Sequence, residues 1–389
     1  MKQELEVYIH IPFCIKKCHY CDFLSFSVDA EDMDKYVDAL LKQIETQKVV
    51  AKEYEVTTIF IGGGTPSLLK EEQIQQIFYK LYEVFQIVED AEITIEVNPG
   101  TSNQEKMKLY RKIGINRLSI GLQSTNEEEL KTLGRIHTYD EFLITYQQAR
   151  DAGFQNINID LMSAIPGQQV LSWKANLEKV ICLQPEHISS YSLIIEEGTL
   201  FYDWYEDEKE TNKLPKLPSE EEILQIDEIT KAYLKEQGYE QYEISNYAKQ
   251  GYACKHNLGY WDRKEYIGLG LGASSYVKGR RYKNVTNRKR YLDNPQEIEE
   301  ECILTLQEQK EEFCFLGLRK IEGISSEEFE KQFGISLEEE YGKEIKKLQN
   351  QGLLERKEEQ IFLTERGLEL GNYVFEKFIR SLECEREQK

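Results

Sequence analysis

Three cysteines within eight residues constrain this chain more than any other feature of its sequence. Cys14, Cys18 and Cys21 are spaced Cys-x3-Cys-x2-Cys, directly after an apolar run that is typical of a strand. Disulfides would leave one of the three unpaired, and a tetrahedral zinc site would need a fourth ligand, for which His10 and His19 are candidates. The same thiols can instead hold a four-iron cluster, which leaves one iron open to bind and activate a substrate.

The spacing resembles the signature of the radical S-adenosylmethionine (SAM) enzymes. In that superfamily the open iron binds the amino and carboxylate groups of SAM, and an electron from the cluster cleaves the sulfonium to give a 5′-deoxyadenosyl radical. Residues 8–14, Tyr-Ile-His-Ile-Pro-Phe-Cys, narrow the resemblance to the branch that contains oxygen-independent coproporphyrinogen III oxidase and the haem chaperone family HemW. The resemblance covers nearly the whole chain. It implies a [4Fe-4S] cluster on Cys14, Cys18 and Cys21, with SAM beside it.

Size and composition set the class of protein. The 389 residues suffice for one large domain and a small one, and 40% of them are hydrophobic, as in an ordinary globular core. There is no apolar window of about 18 residues and no signal peptide, and a cluster needs reduced thiols, so we expect a cytoplasmic protein. The net charge of −21, from 70 acidic and 49 basic side chains, argues against nucleic-acid binding.

Strands and helices alternate along the first half of the chain at intervals of roughly 30 residues, which favours a parallel sheet covered by helices. A long amphipathic helix is predicted over residues 32–52, between the first two strands. Six such units are too few for a complete eightfold barrel, so we predict an α/β fold built on an open, partial (β/α)6 barrel, which the resemblance also implies. The predicted strands cover residues 7–12, 57–61, 92–97, 117–123, 156–163 and 186–193.

Polar side chains and glycines cluster where these strands end, which is where parallel barrels place their chemistry. Gly62–Gly64 lets a ligand approach the backbone, although a tight turn is the simpler explanation. Taken singly, Gln123 or Asp160 is more often a polar group that satisfies a loop. Taken together, the positions resemble the SAM-binding set of the coproporphyrinogen oxidase branch, which is represented here by Tyr8, Tyr20, Gly63, Gly64, Thr65, Glu96, Gln123, Arg135 and Asp160.

A second motif, His-Asn-Leu-Gly-Tyr-Trp, occupies residues 256–261. An imidazole is a common haem ligand and aromatic rings stack on porphyrins, but a buried histidine beside aromatic residues is the simpler explanation. Cys254 is an alternative thiolate ligand. The string is similar to the motif by which the haem chaperones are recognised. This resemblance implies that His256 and its aromatic neighbours bind haem.

Beyond residue 300 the chain becomes rich in Glu and Lys. We predict a winged-helix-like α+β domain here. Its elements are helices at 311–318, 325 onward and 337–351, a hairpin at 353–363 and a last helix at 365–382. Mixed charge on its third helix favours a cover or a partner-docking module over DNA binding. We therefore predict a radical SAM barrel over residues 1–240, a haem-motif region over 241–300 and this domain over 301–389.

The resemblance to the haem chaperones implies a protein that binds haem and hands it to recipient haemoproteins, membrane-associated ones among them, with flavodoxin or ferredoxin as electron donor. The alternative is an anaerobic coproporphyrinogen III dehydrogenase, but such enzymes carry a fourth cysteine and a longer N-terminal extension. Here Phe23 follows Asp22 and 13 residues precede Cys14. A radical SAM enzyme for another small substrate and a winged-helix regulator are weaker alternatives. The missing fourth cysteine leaves room for a homodimer through the cluster.

Overall fold

The computed structural model of the protein describes residues 2–27, 30–206 and 214–380. Most of its strands belong to one twelve-stranded sheet, and two smaller sheets complete the set. The strands are β1 (Gln3–Ile11), β2 (Phe13–Cys14), β3 (Phe26–Ser27), β4 (Tyr54–Gly63), β5 (Ile87–Val97), β6 (Arg117–Gln123), β7 (Ile157–Ser163), β8 (His187–Ser192), β9 (Glu240–Gln241), β10 (Asn246–Ala248), β11 (Tyr266–Leu269), β12 (Ser274–Val277), β13 (Arg280–Asn284), β14 (Ile298–Ile303), β15 (Ile324–Ser325), β16 (Leu354–Lys357) and β17 (Gln360–Leu363).

The large sheet has the order β14-β13-β12-β11-β1-β4-β5-β6-β7-β8-β10-β9. β1 and β4 to β8 are parallel, as in the predicted partial barrel, and this prediction is confirmed. Two additions were not predicted. β11 pairs parallel with β1, and β10 pairs antiparallel with β8, so residues 241–300 extend the sheet at both ends. The domain boundary at residue 240 stays a prediction.

Helices follow most of the parallel strands. The first ends at Thr46, earlier than predicted, where the Thr46 hydroxyl donates to the Gln43 carbonyl and a short 3-10 turn, Val50–Glu53, follows. None of the helices in the described ranges has the length and apolar character to cross a bilayer. The helices are α1 (Ala30–Thr46), α2 (Glu71–Val84), α3 (Gln104–Lys112), α4 (Glu127–Thr132), α5 (Tyr139–Asp151), α6 (Val170–Ile181), α7 (Leu200–Glu206), α8 (Glu220–Glu236), α9 (Lys255–Trp261), α10 (Arg288–Asp293), α11 (Leu306–Gly317), α12 (Ser326–Phe333), α13 (Leu337–Asn350), α14 (Glu365–Glu369) and α15 (Gly371–Glu376).

Alternation along the parallel strands separates an apolar outer face from a polar lumen. In β1, Val7 and Ile9 belong to the main hydrophobic core that includes α1. The side chains that alternate with these, namely Glu6, Tyr8 and His10, point the other way, toward the inside of the barrel. β1 therefore presents titratable groups to the interior of the barrel along much of its length.

The C-terminal domain has its own hydrophobic core and a small sheet of order β15-β17-β16. With α11, α12 and α13 it forms the winged-helix-like arrangement that the sequence predicts. α11 begins earlier than predicted because Thr305 and Glu308 form a capping box. The last predicted helix is divided into α14 and α15, and its end, from residue 381, lies outside the described residues.

Candidate cofactor site and aromatic cavity

A cavity of about 420 Å³, here called the mouth cavity, opens at the carboxyl ends of the parallel strands. It brings the cysteine loop together with residues from five successive strands, β4 to β8. Tyr8, which the resemblance placed in the SAM set, lies elsewhere. The other residues predicted for the cluster and for SAM all line the mouth cavity, namely Cys14, Cys18, Cys21, Tyr20, Gly63, Gly64, Thr65, Glu96, Gln123, Arg135 and Asp160.

The cysteine end of the mouth cavity suits anionic sulfur. All three cysteines are free thiols. The Thr65 hydroxyl donates to Sγ of Cys14 at 3.6 Å, and the Arg135 guanidinium donates to Sγ of Cys18 at 3.7 Å. Burial raises the pKa of Cys21 to about 11, and the neighbouring thiols act in the same direction. A bound metal group that carries positive charge would favour the thiolate form of Cys21.

The zinc alternative receives no support from the two histidines. Nε2 of His10 lies 2.8 Å from the Leu24 carbonyl oxygen, and Nδ1 of His19 lies 3.0 Å from the Thr132 carbonyl oxygen. Within the described ranges, no three His, Cys, Asp or Glu side chains meet closely enough to hold one metal ion. Three thiols around one open cavity fit a multi-iron cluster, which needs no fourth protein ligand.

Two carboxyl groups face the opposite side of the mouth cavity. Glu96 accepts a hydrogen bond from the Gly63 amide at 3.0 Å, and Asp160 accepts one from the Ser119 hydroxyl at 3.0 Å. Burial raises the pKa of Glu96 to about 8, with Asp160 as the second cause, and burial also raises the pKa of Asp160. Among the described residues neither carboxylate has an ion-pair partner within 4.0 Å. A cationic ligand would relieve this repulsion, and the sulfonium and ammonium of SAM are such groups.

The two glycines at the end of β4 are required by close packing. Gly63 has φ of +112°, and a β-carbon there would lie 2.4 Å from the His10 ring. A β-carbon on Gly64 would lie 2.6 Å from the Phe13 carbonyl oxygen. The bare backbone therefore lets the strand that leads into the cysteine loop lie directly against β4. Its predicted contact with SAM is compatible with this packing role.

Arg135 is fixed by a residue that the predicted set omits. The guanidinium donates to Oδ1 of Asn98 at 2.9 Å and to the Gly121 carbonyl oxygen at 2.7 Å. Asn98 donates in turn to the Thr65 hydroxyl at 2.8 Å. Asn98 thus joins the two side chains that donate to the cysteine sulfurs. Its place directly after β5 and before Pro99 is the sequence signal that could have identified it.

His256 lies apart from the mouth cavity, inside the lumen. Its Nδ1 is 2.7 Å from the Thr58 hydroxyl and its Nε2 is 3.1 Å from the Tyr260 hydroxyl. The ring stacks on Phe60 with centroids 5.2 Å apart and is 1% exposed. Thr58 is five residues before Gly63 on β4, roughly 16 Å along the strand. The geometry is that of a buried histidine with both ring nitrogens occupied.

Helix α9 is held in the lumen at its N-terminal end. Glu92 accepts hydrogen bonds from the backbone amides of Lys255 and His256, at 3.1 and 3.2 Å, and so satisfies the helix N-terminus. Cys254 is fully buried and donates to the same carboxylate. At the other end, Tyr260 and Trp261 reach a separate cavity. The motif therefore divides its residues between the lumen and that cavity.

This second space, here called the aromatic cavity, measures about 560 Å³ and lies between α9, the β11–β12 edge of the sheet and α11. Tyr8 and His10 of β1 also face it, and the Tyr8 hydroxyl lies 3.0 Å from Nδ1 of His10. Its remaining lining residues are Leu24, Tyr260, Trp261, Arg263, Tyr266, Gly272, Ala273, Ser274, Tyr276, Arg281, Glu312, Phe315 and Leu316.

Family models match both parts of the chain. Residues 8–179 match the radical SAM superfamily, and residues 304–370 match the HemN C-terminal domain. The solved structure of coproporphyrinogen III oxidase (HemN) from Escherichia coli, described as a radical SAM enzyme, covers 97% of this chain and 90% of its own. The TM-score is 0.84 at 24% sequence identity, so this likeness establishes the fold.

Two haem chaperones are more similar to this chain in sequence than the HemN structure is. The chain is 39% identical over 375 residues to the haem chaperone HemW of Lactococcus lactis, with 96% of each chain covered. It is 37% identical over 380 residues to HemW of Bacillus subtilis, with 96% of this chain and 99% of that protein covered. The chain therefore belongs to the HemW haem chaperone family of radical SAM proteins.

Proposed function

We propose that the protein is a radical SAM-type haem chaperone, which binds haem and transfers it to recipient haemoproteins. Cys14, Cys18 and Cys21 would hold a [4Fe-4S] cluster in the mouth cavity, and SAM would lie against Glu96, Gln123 and the other predicted residues that line this cavity. Support comes from the family, from the named relatives and from the convergence of these residues on one cavity.

The residues around the mouth cavity have two separate roles, one toward the cluster and one toward SAM. When bound, the cluster supplies an electron that cleaves SAM. Arg135 donates a hydrogen bond to Sγ of Cys18 and Thr65 donates one to Sγ of Cys14, and these bonds stabilise negative charge on the two sulfurs. Glu96 and Asp160 provide negative charge for the cationic part of SAM.

The coproporphyrinogen dehydrogenase alternative is less well supported. Phe23 stands where the oxidases carry their fourth cysteine, and its side chain is 61% exposed beside the mouth cavity. A phenyl ring can neither ligate iron nor donate a proton. The named relatives are haem chaperones, whereas the oxidase resembles this chain in fold at 24% identity.

The partners belong to the same proposal. Lys16 and Lys17 are exposed on the cysteine loop, in a chain of net charge −21, and offer a positive contact for an acidic electron donor such as flavodoxin or ferredoxin. The recipients would be haemoproteins, membrane-associated ones among them, and a homodimer is a further part of the proposal. Reduced cysteines point to the cytoplasm as its location.

Haem transfer tests the proposal directly. The protein is reconstituted anaerobically with iron, sulfide and SAM, loaded with haem, and mixed with an apo-haemoprotein whose Soret band reports uptake. We expect saturable haem binding followed by transfer. In a parallel reaction with coproporphyrinogen and reductant, we expect the substrate to stay unchanged. Formation of protoporphyrinogen would instead favour the dehydrogenase.

A further inference from the structure

Within the 256–261 motif, His256 lies in the lumen, whereas Tyr260 and Trp261 line the aromatic cavity. This placement indicates where haem binds. Building on the proposed function, we propose that haem binds in the aromatic cavity, with the Tyr260 phenolate rather than the His256 imidazole as its iron ligand. The arrangement of rings, charges and hydrogen bonds around this cavity carries the inference.

The shape of the aromatic cavity suits a flat, largely apolar ligand. Its volume of about 560 Å³ falls within the range of roughly 300–1,000 Å³ that is usual for ligand pockets. Tyr260, Trp261, Tyr266 and Tyr276 give it aromatic walls, and the Tyr260 and Tyr266 rings meet edge to face with centroids 4.8 Å apart. Aromatic faces of this kind stack on porphyrin rings. On the far side, Phe315 and other α11 residues make the C-terminal domain one wall of the cavity.

The charges at the cavity suit carboxylates. Arg263 and Arg281 both pair with the single carboxylate of Glu312, which leaves a surplus of positive charge in a strongly acidic chain. The propionates of haem carry negative charge, so they would balance this surplus.

Access to the cavity selects Tyr260 as the iron ligand. His256 is 1% exposed and is not among the residues that line the cavity, whereas Tyr260 lines it, with its hydroxyl hydrogen-bonded to Nε2 of His256. Tyrosine phenolates are established ligands of haem iron. On ligation an iron–oxygen bond forms and the phenolic proton is released to water. Nε2 of His256, 3.1 Å from the Tyr260 oxygen, can then donate to the phenolate. In this arrangement His256 is a positioning residue.

The test is an anaerobic titration of the full chain with ferric haem, followed by absorbance and by resonance Raman spectroscopy. We expect one haem per chain, with phenolate–iron bands. Tyr260→Phe should lose these bands and weaken binding at least tenfold, while His256→Gln should keep them at lower affinity. Tyr239→Phe is the matched control and should behave as wild type, because the buried Tyr239 hydroxyl also makes a hydrogen bond, to the Pro185 carbonyl oxygen at 2.6 Å, but does not line the cavity.

A second pair of variants tests the location independently of the ligand. Arg281→Glu should weaken haem binding at least tenfold and leave the phenolate bands in place. Arg280→Glu should not weaken it, because Arg280 is its neighbour on β13 but pairs with Glu301 outside the cavity. Equal affinities of the two variants would overturn the location.

The remaining outcomes separate this inference from the proposed function. Imidazole ligation in wild type, lost in His256→Gln, would overturn the ligand and leave the chaperone function standing. So would phenolate bands that survive in Tyr260→Phe and disappear in Tyr8→Phe, because Tyr8 is the other phenol of the cavity with a histidine partner. Absence of saturable haem binding by the wild-type protein would overturn the proposed function together with this site.

Discussion

The carboxyl group of Glu6 occupies the space that a side chain at position 259 would need. A β-carbon on Gly259 would lie 1.9 Å from Oε1 of Glu6, and both carboxyl oxygens of Glu6 are buried without a hydrogen-bond partner in the part of the chain that the structure describes. The haem-motif helix α9 therefore depends on a glycine to lie against the first strand of the barrel. Glu6 and Gly259 together fix how deeply that helix enters the lumen.

Gly259→Ala should destabilise the protein. The added methyl overlaps with a buried carboxyl group, and overpacking of this kind lowers the free energy of unfolding by about 1–3 kcal/mol. Urea unfolding, followed by circular dichroism, measures the change. Gly342→Ala is the matched control, because Gly342 is also helical but its β-carbon would meet only Cβ of Glu338, at 3.8 Å. That variant should gain about 0.5–1 kcal/mol. Equal effects of the two substitutions would contradict the prediction.

Glu6→Gln should change how stability depends on pH. Burial raises the pKa of Glu6 from 4.5 to about 8, so the folded protein binds this proton more tightly than the unfolded chain does. The stability from this group is complete below pH 4.5 and is lost as pH rises toward 8, with a slope of at most about 1.4 kcal/mol per pH unit.

Glutamine cannot ionise, so the variant should lack this part of the pH dependence. Urea midpoints of wild type and Glu6→Gln, measured between pH 5 and 9, should diverge in favour of the variant as pH rises. Glu105→Gln, at an exposed position of α3, should follow the wild-type curve. Parallel curves for wild type and Glu6→Gln would show that Glu6 ionises normally in the folded protein.

The mouth cavity could be predicted because its geometry follows from chain order. Parallel strands place their carboxyl ends on one side, so Glu96, Gln123 and Asp160 meet wherever the strands are correctly assigned. The cysteine loop follows the first strand and must lie at the same end. Tyr8 is the exception, because it lies six residues before Cys14, in the middle of β1, and faces the aromatic cavity.

The aromatic cavity could not be predicted, because its walls come from distant parts of the chain. β11 pairs with β1 across more than half of the sequence, and Arg263 and Arg281 meet Glu312 of another domain. The pattern of the 256–261 motif shows a histidine beside aromatic rings. It contains no signal that His256 lies in the lumen and that Tyr260, one helical turn further along, reaches the cavity.

Loss of any one of the three clustered cysteines should abolish the iron–sulfur cluster. Cys14→Ser, Cys18→Ser and Cys21→Ser each leave two thiolates, too few to hold four irons beside an open site. Iron and sulfide analysis with electron paramagnetic resonance after anaerobic reconstitution measures the effect, and we expect near-complete loss. Cys182→Ser is the matched control, because Cys182 is exposed and does not line the mouth cavity. A single-cysteine variant with a full complement of iron would contradict the assignment of the ligands.

Glu96→Gln should weaken SAM binding and reduce its pH dependence. Glutamine keeps the acceptor for the Gly63 amide but not the negative charge, and loss of a charge-assisted contact weakens affinity roughly tenfold or more. The pKa of Glu96 in the empty site is about 8, so a cationic ligand must displace its proton at neutral pH. Wild-type affinity should therefore rise as pH increases toward 8, while that of the variant should rise less, because Asp160 is then the carboxyl group that remains to titrate. Calorimetric titration of the reconstituted protein with SAM at several pH values measures both effects, with Glu105→Gln as the control. A wild-type affinity that is independent of pH would show that Glu96 does not meet the cationic part of SAM.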